Sequence, residues 1–304
     1  MRRPRTLAAV FAVVAAMGLA ACASDGAAGD GRLDVVAAFY PLQFVSEQVG
    51  GGAVAVTNLA KPGAEPHDLE LSARQVGRVS DADVIVYLKG FQPAMDDAVE
   101  QVGGDRAFDV ATAVPLLDAG GSDHGHEEES SGGTDPHVWL DPTRLATIGE
   151  GVARRLGDAD PANAATYTAN AAALRSRLTD LDREYAAGLA TCARHELVTS
   201  HAAFGYLAQR YGLDQVGLTG LTPETEPAPQ RLADVAQEAR EHGATTIFFE
   251  TLVSPKVADT IAQEVGAKTA VLDPIEGLQP GSTGDYFSIM RSNLATIRTA
   301  LECS

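Results

Sequence analysis

Residues Pro161–Leu189 read PANAATYTANAAALRSRLTDLDREYAAGL, and the pattern on either side of this stretch fixes the architecture. Ala, Leu and Arg dominate it, all good helix formers, and no glycine interrupts it before Gly188. Asp160 is placed to cap its start, with Pro161 at the first helical position, where a missing N–H costs nothing. At the helical rise per residue it spans about 40 Å.

Upstream, short apolar runs alternate with helical segments. Asp34–Phe39 (DVVAAF), Val54–Leu59, Val84–Leu88 (VIVYL) and Ala107–Val110 read as strands. Leu42–Gly50, Ser72–Ser80, Phe91–Val102 and Leu145–Leu156 read as helices. Downstream the alternation restarts, with strands at Glu196–Ser200, Gln215–Leu218, Thr246–Glu250 and Thr269–Asp273. Its helices are His201–Tyr211, Ala228–His242, Val253–Val265 and Asp285–Leu301. Continuous apolar strands joined through helices are the signature of parallel β/α units. The expected fold is therefore α/β, with two β/α lobes, mostly parallel four-stranded sheets and a long helix between them. The alternative for the helix is an ordinary core element of one large domain. The expected division is 34–157 for the first lobe, 158–190 for the linking helix and 191–304 for the second lobe. Residues 118–135 (DAGGSDHGHEEESSGGTD) break the pattern; Gly, Ser and acids cannot pack a core, so this is an inserted surface loop.

The N-terminus carries Arg2, Arg3 and Arg5, then an apolar run from Leu7 to Ala21. That run is shorter than the ~20 residues of a spanning helix, so residues 1–21 read as a signal peptide. Leu19-Ala20-Ala21-Cys22 resembles the lipobox of bacterial lipoproteins, which implies cleavage before Cys22 and acylation of its sulfur. An ordinary signal peptide with an incidental cysteine is the alternative. Residues 22–33 then form a low-complexity tether, and the location is extracytoplasmic, anchored to the membrane through lipid. With Cys22 lipidated, Cys192 and Cys303 remain as a candidate disulfide, which export permits; two free thiols are the alternative. The formal net charge is −18, which argues against nucleic acid, whose phosphates need a basic surface.

Three histidines stand in similar settings: His67 in KPGAEPHDLE, His137 in DPHVWLDP and His201 in VTSHAAFGYL. Asp273 follows in VLDPIEGL. Each lies at the end of an apolar run or in a Pro-marked turn. In open α/β sheets the C-terminal strand ends line the ligand crevice. Three imidazoles and one carboxylate suit Zn²⁺, and an ion bound by all four sits between the lobes. Taken singly, a loop histidine is commonly a solvated or packing residue, and Asp273 before Pro274 is a common turn former.

The chain resembles the zinc-binding solute-binding proteins of bacterial metal ABC importers, a family that includes manganese-binding lipoproteins. The resemblance covers nearly all of residues 34–303. It rests on FYPLQFVSEQVGG, KPGAEPHDLELSARQV, DADVIVYLKG, DPHVWLDP, SHAAFGYLAQRYGL, TLVSPKVADTIAQEVG and VLDPIEGL. It implies two lobes on a rigid backbone helix, a metal in the cleft, and His67, His137, His201 and Asp273 as ligands. It also implies delivery of the ion to an ABC permease driven by a cytoplasmic ATPase. The chain itself has no P-loop motif. In the manganese branch the third ligand is typically a glutamate; His201 stands there, and imidazole favours Zn²⁺ over Mn²⁺.

Glu226 and Glu250 are candidates to support the ligands from behind. His124 and His126 in the acidic loop are candidates for a weak accessory site. A zinc chaperone is a further candidate partner, and a monomer is expected. The function that follows is capture of Zn²⁺ for import, without catalysis; the same role for Mn²⁺ is the close alternative. Two readings of other classes stand beside it, a secreted zinc hydrolase and a surface adhesin. No H-E-x-x-H occurs, and four protein ligands leave a hydrolase no open metal position.

Overall fold

The computed structural model describes residues 31–118, 133–223 and 227–304. Its first sheet is built from β1 (Leu33–Ala37), β2 (Val54–Asn58), β3 (Val84–Tyr87) and β4 (Ala107–Asp109), in the order β2-β1-β3-β4. Every pairing is parallel, with Val35 opposite Val56 on one side and Val84 on the other. The helices between these strands are α1 (Tyr40–Gly50), α2 (Ala73–Asp81) and α3 (Pro93–Ala98). Val84–Tyr87 is buried throughout, as a parallel strand covered on both faces must be.

Two short strands, β5 (Leu117–Asp118) and β6 (Thr134–Asp135), pair antiparallel. They are the two ends of the stretch expected as an unstructured insertion. His124 and His126 lie outside the described residues, as does everything else between Ala119 and Gly132. Helices α4 (Pro142–Ala159) and α5 (Ala164–Gly188) follow. Asp160 does not cap the long helix from position 160. It ends α4, and its carboxylate accepts from Asn163 Nδ2 (2.6 Å) and Tyr167 Oη (2.8 Å). Those bonds hold residues 161–163 in a turn, so α5 begins three residues later than the sequence signal. Its buried residues are Tyr167, Ala171, Leu174, Leu178, Leu181 and Tyr185, alternating four and three apart along one face. That face lies along α1 and α4.

The second sheet repeats the design of the first. It consists of β7 (Glu196–Thr199), β8 (Asp214–Gly217), β9 (Thr246–Phe249) and β10 (Lys268–Val271), ordered β10-β9-β7-β8 and again all parallel. Its helices are α6 (Gly205–Tyr211), α7 (Pro229–Glu241), α8 (Lys256–Val265) and the closing α9 (Tyr286–Ala300), which packs on α5. The expected α/β fold with two parallel four-stranded sheets is thus the observed one. In both halves the first and third strands are neighbours, and this is where the strand order reverses and a crevice opens.

One large apolar core runs from the first sheet through α4 and α5 to Leu207, Phe248, Tyr286 and Ile297. A smaller one lies among β8, α7, β9 and α8. Polar ties cross between the halves as well. Trp139 Nε1 donates to Pro274 O (2.7 Å), and Tyr286 Oη donates to Trp139 O (2.7 Å). At the opposite end of β7 from the crevice, Cys192 and Cys303 form a disulfide. Among the described residues no helix is long and apolar enough to cross a membrane.

Candidate metal centre

All the groups of interest lie beyond C-terminal strand ends. His67 sits in the loop after β2. His137 follows β6 at the start of a single helical turn, Val138–Leu140. His201 lies two residues past β7 and does not open a helix. Residues 201–204 form a loop in which Ala202 N donates to Gly220 O (2.8 Å), and α6 starts only at Gly205. That loop turns the ring back over the sheet end.

The three imidazoles converge. Their Nε2 atoms stand 3.4 Å (His67), 3.1 Å (His137) and 3.2 Å (His201) from one oxygen, Oε1 of Glu276. His67, His137, His201 and Glu276 each offer a ligand atom within 4.8 Å of the others'. Four atoms bonded to one Zn²⁺ in a tetrahedron stand about 3.3 Å apart, so the spacing fits such an ion. Buried Nε2 of His67 and His137 have no hydrogen-bond partner, nor has Oε2 of Glu276. Polar atoms are not buried unpaired without cost, and a shared cation is what satisfies this set.

Asp273 is not in the cluster. Its Oδ1 accepts from Ile275 N (2.8 Å) and its Oδ2 from Thr251 Oγ1 (3.1 Å). It shapes the turn that delivers Glu276. Asn293 grips the same turn from α9, accepting from Asp273 N (3.0 Å) and donating to Asp273 O (2.7 Å). Ile275, between the two acids, has φ of 60°, a left-handed conformation that a β-branched residue avoids. The surrounding bonds to Trp139 and Asn293 hold it there, and the reversal swings Glu276 inward.

Each ring is held from behind. His137 Nδ1 lies 2.7 Å from Asp135 Oδ1, which also accepts from the His137 amide (2.9 Å). His201 Nδ1 lies 2.8 Å from Glu250 Oε1, which Ser200 Oγ braces at 2.7 Å. A carboxylate only accepts, so Nδ1 carries the proton and Nε2 presents its lone pair to the centre. His67 packs edge-on against Phe91, ring centroids 4.5 Å apart, and Gln92 Nε2 donates to the preceding Pro66 O (3.0 Å). A side chain at Gly205 would collide with Asp135 Oδ2 at 2.8 Å, so the glycine is what lets α6 approach the carboxylate behind His137. Glu250 thus lies where a supporting group is needed. Glu226 and Cys22 lie outside the described residues.

Electrostatics bind the set together. Burial alone raises the Glu276 carboxyl, but the charge of His201 and the close approach of all three imidazoles hold it well below its ordinary value. Burial lowers His201, yet the charge of Glu276 and the bond to Glu250 outweigh it and push His201 up to about 10. His137 is raised in the same way, against its burial, by Asp135 and Glu276. Without a metal, the centre is a buried anion that gathers protons on its neighbours.

Sequence reasoning missed Glu276, Asp135 and Glu65. Glu276 and Asp135 lie inside segments already singled out, VLDPIEGL and DPHVWLDP, three and two residues from a chosen residue.

The chain matches the family model described as zinc-uptake complex component A, periplasmic, over residues 35–300. It is 37% identical to the zinc-binding protein AdcA of Streptococcus pyogenes serotype M3 over 288 residues, covering 88% of this chain and 56% of that protein. It therefore spans little more than half the length of that relative. It is 35% identical over 310 residues to the high-affinity zinc uptake system protein ZnuA of Bacillus subtilis, covering 97% of this chain and 96% of that one. Among solved structures, it is similar to the Zn(II)-bound ZnuA-like domain of Streptococcus pneumoniae AdcA. The TM-score is 0.75 at 33% identity, covering 90% of this chain and 100% of the domain.

Proposed function

Because the chain belongs to the periplasmic zinc-uptake component A family, we propose that it captures Zn²⁺ outside the cytoplasm and hands it to a cognate ABC permease. The observation that carries this is the convergence of three buried Nε2 atoms on Glu276, two of them, those of His67 and His137, without any hydrogen-bond partner. His67, His137, His201 and Glu276 are the ligands; Asp135 and Glu250 orient the imidazoles.

Three nitrogens and one oxygen favour Zn²⁺ over Mn²⁺, whose shells are oxygen-rich. Four protein ligands complete a tetrahedron, so no position is left for a substrate water, and the protein is a carrier and not a hydrolase. We keep the division into lobes 34–157 and 191–304 about the helix 158–190. The protein acts as a monomer held to the membrane by a lipid on Cys22, with residues 22–33 as the tether.

Elemental analysis and isothermal titration of the purified mature protein test the reading. One Zn²⁺ per chain, with Mn²⁺ at least about a hundredfold weaker, is the expected result. A protein that binds no Zn²⁺, or takes up Mn²⁺ as tightly, refutes it.

A further inference from the structure

Beside the histidine cluster lies a second convergence of ligand atoms, made of oxygen alone. Glu65, Glu250 and Glu276 each present a carboxylate oxygen within 4.8 Å of the others'. Their Oε1 atoms are engaged. Glu65 accepts from the His67 amide, Glu250 from Ser200 and His201, and Glu276 faces the three Nε2 atoms. Their Oε2 atoms are all buried and all without a partner. Glu250 and Glu276 are themselves 2% and 1% exposed. Three acids have been brought together out of water, each spending one oxygen on the histidine site and leaving the other free. A cation at their centre would satisfy all three free oxygens at once, and oxygen-only shells suit a divalent one.

Burial orders the two positions. His137 and His201 are closed off from solvent, and His67 is nearly so. Glu65 is the one carboxylate of the three that is partly exposed, and residues Lys61–Ala64 before it are exposed. That short loop also docks on the segment carrying Glu276, through Gly63 N donating to Leu278 O (2.8 Å).

We propose that Glu65, Glu250 and Glu276 form an all-oxygen station, sharing Glu276 with the histidine site, on which a divalent cation stands as it passes between solvent and the three imidazoles. The inference rests on the zinc-capture reading. Glu276 belongs to both sets, its Oε1 standing against the three nitrogens and its Oε2 buried and unpartnered. An ion therefore changes ligands one at a time and is never stripped of all of them. Glu65 is the outermost of these groups and meets the ion first.

Stopped-flow kinetics on the full mature protein test this, with Zn²⁺ itself as probe and a chromophoric chelator to follow release. Glu65→Gln keeps the size of the side chain and replaces one carboxylate oxygen by an amide nitrogen, which cannot bind a cation. Association and dissociation of Zn²⁺ are both expected to slow, by about tenfold or more for association. Glu65→Asp, which retains the carboxylate as a ligand, is expected to recover most of the rate. Association at the wild-type rate in Glu65→Gln overturns the station. So does faster dissociation, which would mark Glu65 as a permanent ligand of the resting ion. Wild-type protein that takes up no Zn²⁺ overturns the capture reading as well, and so separates the two failures.

Discussion

Replacing Glu276 by Gln removes one charge and one ligand oxygen and almost no volume. The side chain is 1% exposed, and its Oε1 lies 3.1 to 3.4 Å from three imidazole nitrogens, so water cannot take its place. Breaking a buried, hydrogen-bonded charge cluster by deleting one partner costs about 3–5 kcal/mol. At about 1.4 kcal/mol per decade, Zn²⁺ affinity should fall by roughly two to three and a half orders of magnitude. Asp273→Asn is the matched comparison. It sits three residues away and also loses one charge. Yet its oxygens serve Ile275 N and Thr251 Oγ1, and an amide oxygen still accepts from Ile275 N. Its affinity loss should stay within about tenfold, the worth of one weakened hydrogen bond. Competition titration against a chelator of known affinity measures both variants, with circular dichroism to show that each is folded. If Asp273→Asn loses as much affinity as Glu276→Gln, or more, the assignment of the fourth ligand from this geometry is wrong.

Zinc binding should release protons at neutral pH. His201 is held up to about 10 and His137 is also raised, so both carry protons that the ion must displace. A raised group is more fully protonated as pH falls, so zinc affinity should rise with pH across the neutral range and level off only as His201 loses its proton in the metal-free protein. Titration in buffers of different ionisation enthalpy counts the protons; none released contradicts the prediction. Replacing both Cys192 and Cys303 by Ser removes a cross-link spanning 111 residues and should cost about 2–5 kcal/mol of stability, read from urea unfolding. Zinc affinity should barely change, because the bridge lies before β7 and His201 lies beyond its other end.

The fold was legible because its signals are local and consistent. Val84–Tyr87 is apolar at every position and buried at every position, as a central parallel strand has to be. The four-and-three spacing of Tyr167, Ala171, Leu174, Leu178, Leu181 and Tyr185 declares one buried face for the long helix. What misled were helix starts, at His201, where α6 begins only at Gly205, and at Asp160. Asp160 followed by Pro161 is a strong start signal, but Tyr167 and Asn163 both reach back to that carboxylate and hold it as a turn. Nothing in local propensity announces that competition.

The histidines that converge in the candidate site were legible in the sequence and the acid they face was not, for a physical reason. His67, His137 and His201 are few, each follows an apolar strand or a proline, and a buried imidazole has few other roles. Carboxylates are many in so acidic a chain, and choosing among them needs backbone direction. The rule that strand ends line the crevice pointed to Asp273, the acid nearest the end of β10. But Asp273 is followed by Pro274 and by Ile275 in the left-handed region. An aspartate before proline that accepts from the amide two residues on is a turn former. Its task is to reverse the chain. The acid that emerges from the reversal, Glu276, therefore faces the histidines, while the one that makes it faces Thr251. The left-handed φ at Ile275 is invisible in the sequence, since tertiary bonds from Trp139 and Asn293 help keep a β-branched residue there. Which acid faces the histidines is thus decided by contacts from elements far away in the chain.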